Sequence, residues 1–291
     1  LIFPDPEKGK KANFYFLATG YIKDFKTDQI LIKTQEEIKP FMGLHDRVMQ
    51  KQTIIIESGT KDLARKGAEI FCRAAKESID MRGHFSVAIS GGSTPRNMHR
   101  LLGKEPFLTD IQWEKTDIFW VDERCVPVND KDSNYGTAKK DFLNRVPIPP
   151  GHIHPMPVSS SPEDGALLYQ QELMNYFKPK GDEFALFDLI CLGIGKDGHT
   201  ASLFPGQSSL DEREKWVVAV NGGIPNAVRL TMTFPLLNSG RQIVFIASGK
   251  EKAEIVKKAL KDNKSELPAQ LIHSSKGTLL WLLDRGAASF L

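Results

Sequence analysis

The chain has 291 residues, 41% hydrophobic, 26% charged and 9% aromatic, the fractions of an ordinary globular protein, which exclude disordered, collagen-like and coiled-coil chains. Its 39 basic and 36 acidic residues leave a net charge of +3, too even a balance for the concentrated basic surface that nucleic-acid binding needs. No apolar run approaches the roughly 20 residues that span a bilayer, and three scattered cysteines, Cys72, Cys125 and Cys191, predict neither a disulfide framework nor a zinc site but a reducing compartment.

Residues 1–51 read as an N-terminal extension, with an aromatic-rich stretch at 13–20 and a β-like run at 29–33. They hold no initiating Met at the start and no signal-peptide apolar segment, so a trimmed chain, or one cut from a longer polypeptide, is expected. The remainder, 52–291, reads as one domain. A buried strand at 53–57 precedes a helix from Thr60, whose Leu63, Gly67, Ile70, Phe71 and Ala74 follow the 3.6-residue period. A strand at 85–89 leads to a helix through Met98, Leu101 and Leu102. A strand at 117–121 leads to a helix near 135–143, and Pro147, Pro149, Pro150 and Gly151 break the chain. Ser161 as N-cap, Pro162 as first helical residue and Asp164 at N3 start a helix running to about Phe177. Strands follow at 186–192, 216–220, 228–233 and 243–248, then a helix marked by Ala253, Val256 and Leu260, and a strand at 278–283. Such alternation predicts an α/β fold: a mainly parallel sheet covered by helices on both faces.

Ligands of open parallel sheets bind beyond the carboxyl ends of the strands, and three of these ends carry unusual polar sequences. The first is Ser90-Gly91-Gly92-Ser93-Thr94-Pro95. With Thr94 as N-cap and Pro95 opening the helix, free N–H groups would face a phosphate, unless this is an ordinary Gly-Gly turn. Its spacing matches neither the dinucleotide nor the Walker pattern. The second is Asp122-Glu123-Arg124, followed by Asp132-Ser133-Asn134-Tyr135. Charges there are costly to desolvate unless paired or ligating. Arg124 is suited to clamp an oxyanion or carboxylate, with Asp122 and Glu123 orienting it or binding sugar hydroxyls; the alternative is a structural ion-pair cluster.

The third end is Gly193-Ile194-Gly195-Lys196-Asp197-Gly198-His199-Thr200-Ala201-Ser202-Leu203-Phe204-Pro205. An imidazole, with an unperturbed pKa near 6.5, can take a proton from water. Asp197 either fixes the tautomer of His199 or binds substrate, and the glycines leave room for a ligand and for N–H donors to an oxyanion. A structural histidine is the alternative. Arg229 and Lys250 lie in or just past strands, where a cation completes a phosphate site or is simply solvated. His152 and His154 invite a metal, but no carboxylate–histidine pattern accompanies them, and no metal is expected. His45, His84, His99 and His273 read as surface or packing residues.

Taken in order, the Ser90–Pro95 and Asp122-Glu123-Arg124 motifs, Val126-Pro127, Ser133-Asn134 and the Gly193–Pro205 motif resemble the 6-phosphogluconolactonase family. The resemblance runs from about residue 53 to the C-terminus. It implies hydrolysis of 6-phosphoglucono-1,5-lactone to 6-phosphogluconate, the second step of the oxidative pentose phosphate pathway, on a Rossmann-like sugar-phosphate isomerase fold without metal or organic cofactor. It also implies His199, Asp197 and Arg124 as catalytic residues. Substrate and phosphate contacts fall to Ser90, Gly91, Gly92, Ser93, Thr94, Asp122, Glu123, Asn134, Gly195, Lys196, Gly198, Arg229 and Lys250.

Glucosamine-6-phosphate deaminases share the fold and the Gly–Asp–Gly–His turn. They usually show Asp-Glu-Tyr where this chain has Asp122-Glu123-Arg124, and follow the histidine with Asn-Glu-Pro where this chain has Ser202-Leu203-Phe204-Pro205. A deaminase and a non-catalytic sugar-phosphate sensor are the competing readings. The leader up to about Gln52 departs from a typical lactonase start. In malaria parasites the lactonase precedes glucose-6-phosphate dehydrogenase in one polypeptide, and the leader is similar to what such a fusion would leave. A cytoplasmic enzyme acting on a small-molecule lactone is expected, fused to or beside that dehydrogenase, without nucleic-acid or membrane partners.

Overall fold

The computed structural model describes residues 15–18, 21–24, 30–32, 52–158, 161–181, 183–223, 227–262 and 266–291. The chain divides into two units, Leu1–Gln50 and Lys51–Leu291. In the first, β1 (Tyr15–Ala18), β2 (Tyr21–Asp24) and β3 (Ile30–Ile32) form an antiparallel sheet in that order. His45 lies outside the described residues.

The second unit opens with β4 (Thr53–Glu57) and α1 (Thr60–Arg82). The helix buries the apolar stripe read from the sequence, and Gly83 ends it at φ 81, its N–H donating to the Ile79 carbonyl at 2.8 Å; a side chain would resist that left-handed turn. Next come β5 (Phe85–Ile89), α2 (Ser93–Leu102), β6 (Thr116–Trp120), β7 (Asp122–Arg124), α3 (Asn134–Ala138) and β8 (Ile153–His154). The expected helix at 135–143 is thus α3 running into a π turn at Lys139–Leu143. In α4 (Pro162–Phe177) the Ser161 hydroxyl accepts the Asp164 N–H at 3.2 Å, the predicted cap. The chain continues through β9 (Leu189–Leu192), β10 (Val217–Gly222), β11 (Ala227–Met232), β12 (Gln242–Ala247), α5 (Ala253–Lys261) and β13 (Thr278–Asp284).

Seven strands pair in parallel in the order β4-β13-β12-β9-β5-β6-β8, flanked by helices. Every residue of β5, β6 and β9 is buried, as strands covered on both faces require. Phe245 stacks on Trp281 at 4.2 Å within this core. From β5 the chain moves to β6 on one side, while β9 lies on the other, so the loops after β5 and β9 diverge and open a crevice beyond their carboxyl ends.

Three expectations need correction. The strand at 53–57, expected to be buried, is the edge strand β4, on which Ile54 and Ile56 are exposed. Strands β10 and β11 are not parallel units; they form an antiparallel hairpin, with β7 pairing antiparallel to β11. The short link at 223–226 cannot hold the dozen or more residues of a parallel crossover. Helix α2 begins at Ser93, with Gly92 at φ 94 as its N-cap, so Thr94 lies inside the first turn and caps nothing.

At the β8 edge, His154 sits between Asp117 (Nε2 to Oδ1, 3.0 Å) and Glu172 (Nδ1 to Oε1, 2.8 Å) and stacks on Phe119 at 4.2 Å. Burial disfavours the imidazolium, but the Asp117 and Glu172 carboxylates outweigh it and hold the His154 pKa up at about 9. Both ring nitrogens are engaged, so no lone pair is left for a metal. Among the described residues no helix is long and apolar enough to cross a membrane.

Candidate active site

One cleft gathers the three strand ends. It offers about 260 Å³ to a ligand, just below the ~300 Å³ where small-molecule sites begin, room enough for a compact polar metabolite.

Its first wall is the Ser90–Pro95 turn. A Cβ on Gly91 would lie 1.8 Å from Asn134 Oδ1, so glycine lets α3 close against the turn. The opening N–H groups of α2 lack intrahelical partners, and the buried Ser90 hydroxyl, which lines the cleft, has no partner in the protein.

The second wall comes from β7, α3 and β11. Buried Asp122 accepts the Ser202 hydroxyl at 2.6 Å and the Asn134 amide at 3.3 Å. Asn134 Oδ1 and the Asp132 carbonyl accept Arg124 Nη1 at 2.9 and 2.7 Å, while Arg124 Nε is buried without a partner. Arg229 stands opposite Arg124 in the strand register and donates from Nε to the Gly222 carbonyl at 3.0 Å. Burial, then the Arg124 charge, pulls the Arg229 pKa down. Arg124 and Arg229 thus bring two cationic charges to one wall of the cleft, which favours an anionic ligand there.

Glu123 departs from its expected sugar contact. It is 2% exposed and does not line the cleft. Its carboxylate accepts the N–H groups of Arg124, Asn134 and Tyr135 and the Ser133 hydroxyl, and burial raises its pKa. Its lone pairs are spent on holding the loop that carries Asn134, which is the structural alternative.

The third wall follows β9. His199 Nδ1 lies 2.5 Å from Asp197 Oδ1, an arrangement that keeps the proton on Nδ1 and leaves Nε2 free to accept one. Burial opposes ionisation of Asp197, but His199 outweighs it and holds the carboxyl below its usual range. A Cβ on Gly195 would meet His199 Nδ1 at 2.1 Å, so only glycine allows the ring to fold over the turn. Lys196, Gly195 and His199 line the cleft; Asp197 and Gly198 do not, Asp197 pairing with the imidazole and Gly198 facing Leu267. Ala201 also lines it, in the left-handed conformation at φ 48.

Lys250 is exposed and lies outside the lining; Lys252 is in it, donating from Nζ to the Ile194 carbonyl at 2.8 Å. Burial, then Lys196, draws the Lys252 pKa down, with Glu251 and Asp197 opposing. The signal for Lys252 was present: it precedes Val256 by four residues, so the inward stripe of α5 extends back through it.

The chain matches the family model described as glucosamine-6-phosphate isomerases/6-phosphogluconolactonase over residues 58–281. It is 40% identical over 235 residues to 6-phosphogluconolactonase 3, chloroplastic, of Arabidopsis thaliana, covering 78% of this chain and 70% of that protein. It is 36% identical over 242 residues to probable 6-phosphogluconolactonase 1 of Oryza sativa subsp. japonica, covering 79% and 81%. The solved 6-phosphogluconolactonase of Trypanosoma brucei superimposes with a TM-score of 0.75 at 27% identity, over 83% of this chain and 99% of that one. The order of motifs, the shared fold and these matches agree, and the chain belongs to the glucosamine-6-phosphate isomerase/6-phosphogluconolactonase family.

Proposed function

We propose that the chain hydrolyses 6-phosphoglucono-1,5-lactone to 6-phosphogluconate, the second step of the oxidative pentose phosphate pathway, with His199 as general base. One observation carries the reading: an imidazole tethered by Asp197 shares its cleft with the cations Arg124, Lys196, Arg229 and Lys252. The Ser90–Thr94 turn, Arg229 and Lys252 hold the phosphate, Lys252 replacing Lys250 in that role. Ser90, Asp122 and Asn134 meet the sugar hydroxyls. His199 Nε2 takes a proton from water, the resulting hydroxide attacks the lactone carbonyl, and Arg124 steadies the oxyanion. The imidazolium then protonates the ring oxygen as the carbon–oxygen bond breaks.

Asp122 is the one carboxylate among the described lining residues, and it is already engaged. An amino sugar's ammonium would enter a positive cleft without a counter-charge, which weighs against the deaminase reading. A coupled lactonase assay measured against spontaneous hydrolysis is the test. His199→Ala should lower kcat about 10²–10⁴-fold; a folded variant with wild-type kcat removes His199 from the mechanism. Ammonia release from glucosamine 6-phosphate, without lactonase activity, replaces the whole reading.

We place the enzyme in the cytoplasm, beside or fused to glucose-6-phosphate dehydrogenase. The three free cysteines suit a reducing compartment. Cell fractionation that finds the activity confined to an organelle overturns that placement.

A further inference from the structure

Phe204 is 5% exposed and its ring has functional groups on two sides. The His199 imidazole lies 4.8 Å from it, centroid to centroid, inclined at 50°. The Arg229 guanidinium lies over it, 5.5 Å from the centroid, where the ring quadrupole attracts a cation. Neither neighbour is loose. Arg229 is also held through Nε by the Gly222 carbonyl, and a Cβ on Gly223 would stand 2.4 Å from Arg229 Nη2. A Cβ on Gly222 would stand 2.6 Å from Phe204 Cδ2, so the hairpin backbone presses on the edge of the ring. The ring reaches this place because the left-handed Ala201 and the Thr200–Leu203 bridge fold the chain back after His199, while Ser202 is tied to Asp122.

We propose that Phe204 is a positioning and specificity residue, its ring fixing the spacing between the base His199 and the anion clamp Arg229 so that the enzyme favours lactones bearing a phosphate. The inference rests on the cleft being a sugar-phosphate lactone site. An aliphatic side chain of similar volume would fill the space but would not orient the guanidinium.

The test is a double-mutant cycle read by titration of inorganic phosphate into the wild-type chain, Phe204→Leu, Arg229→Gln and the double variant. Phe204→Leu should weaken phosphate binding about five-fold and add nothing in the Arg229→Gln background. The preference for 6-phosphoglucono-1,5-lactone over unphosphorylated glucono-1,5-lactone, as a ratio of kcat/KM, should fall by a similar factor. Gly222→Ala, which pushes the ring from its other edge, should reproduce both losses and serves if the Leu variant does not fold. Unchanged phosphate affinity, additive substitutions or an unaltered substrate preference overturns the inference. Phosphate binding needs no turnover, so a coupled cycle in a chain without lactonase activity refutes the catalytic reading alone. An additive cycle in an active enzyme refutes only the role of Phe204.

Discussion

The His154 clamp makes stability depend on pH in a calculable way. Its carboxylate neighbours raise the imidazole from 6.5 to about 9. At about 1.4 kcal/mol per pH unit, that difference favours the folded state by ~3 kcal/mol. Water reaches Glu172, whose side chain is 39% exposed, and screening trims the expected contribution to ~2 kcal/mol. Because the folded value lies above the unfolded one, the full contribution is present below pH 6.5 and is lost as pH rises through about 9. The perturbation is His154→Gln, which keeps a polar side chain and removes the charge. His152, 3.6 Å from Asp117, and the ring of Tyr176 face the same cluster and stay in place. Urea unfolding of both proteins should show the variant ~2 kcal/mol less stable at pH 6, with the gap closing by pH 10. Groups elsewhere titrate in both proteins and cancel. A gap that does not change with pH refutes the charged clamp and leaves only lost packing against Phe119.

Three further outcomes bear on the site and its boundaries. Asp197→Asn keeps the shape of the His199 partner but frees the tautomer, and should lower kcat about 100-fold with little change in KM; a raised KM with kcat little changed would make Asp197 a substrate contact. Gly91→Ala drives a methyl into Asn134 Oδ1 and so breaks one of the two hydrogen bonds of Arg124 Nη1, leaving the one to the Asp132 carbonyl. It should cost ~2 kcal/mol in urea unfolding, the worth of one charged hydrogen bond, and most of the lactonase activity. Residues 52–291 expressed alone should retain the kcat of the full chain; a large fall would give the first 51 residues a part in catalysis.

Much of the fold was readable because burial imposes a period. The α1 stripe, the Ser161 cap and the run at 85–89 each state their structure locally. Pairing partners are not local, so 217–222 and 227–232 read as strands without showing that they fold back on each other; only the short link between them carried that information. The site followed the same divide. Gly195 and His199 lie within one turn, and their closeness could be inferred from spacing. The engagement of Glu123 depended on α3 and its Ser133 cap approaching from 10 to 12 residues downstream, which no spacing rule supplies. Lys250 and Lys252 share a single 3-10 turn, and the turn alone does not tell them apart; only the i, i+4 step from Lys252 to Val256 on α5 does.

Ala201 places an unusual limit on how this chain can vary. The residue borders the cleft while its backbone occupies a conformation costing an L-residue about 1–2 kcal/mol. Partial exposure would ordinarily mark position 201 as tolerant. Here a branched replacement meets a backbone penalty and crowds the entering ligand, whereas glycine relieves the penalty but gives the imidazole support more freedom to wander. Mutational tolerance at 201 should therefore be narrower than at many interior positions, and accessibility alone would mislead anyone redesigning the loop.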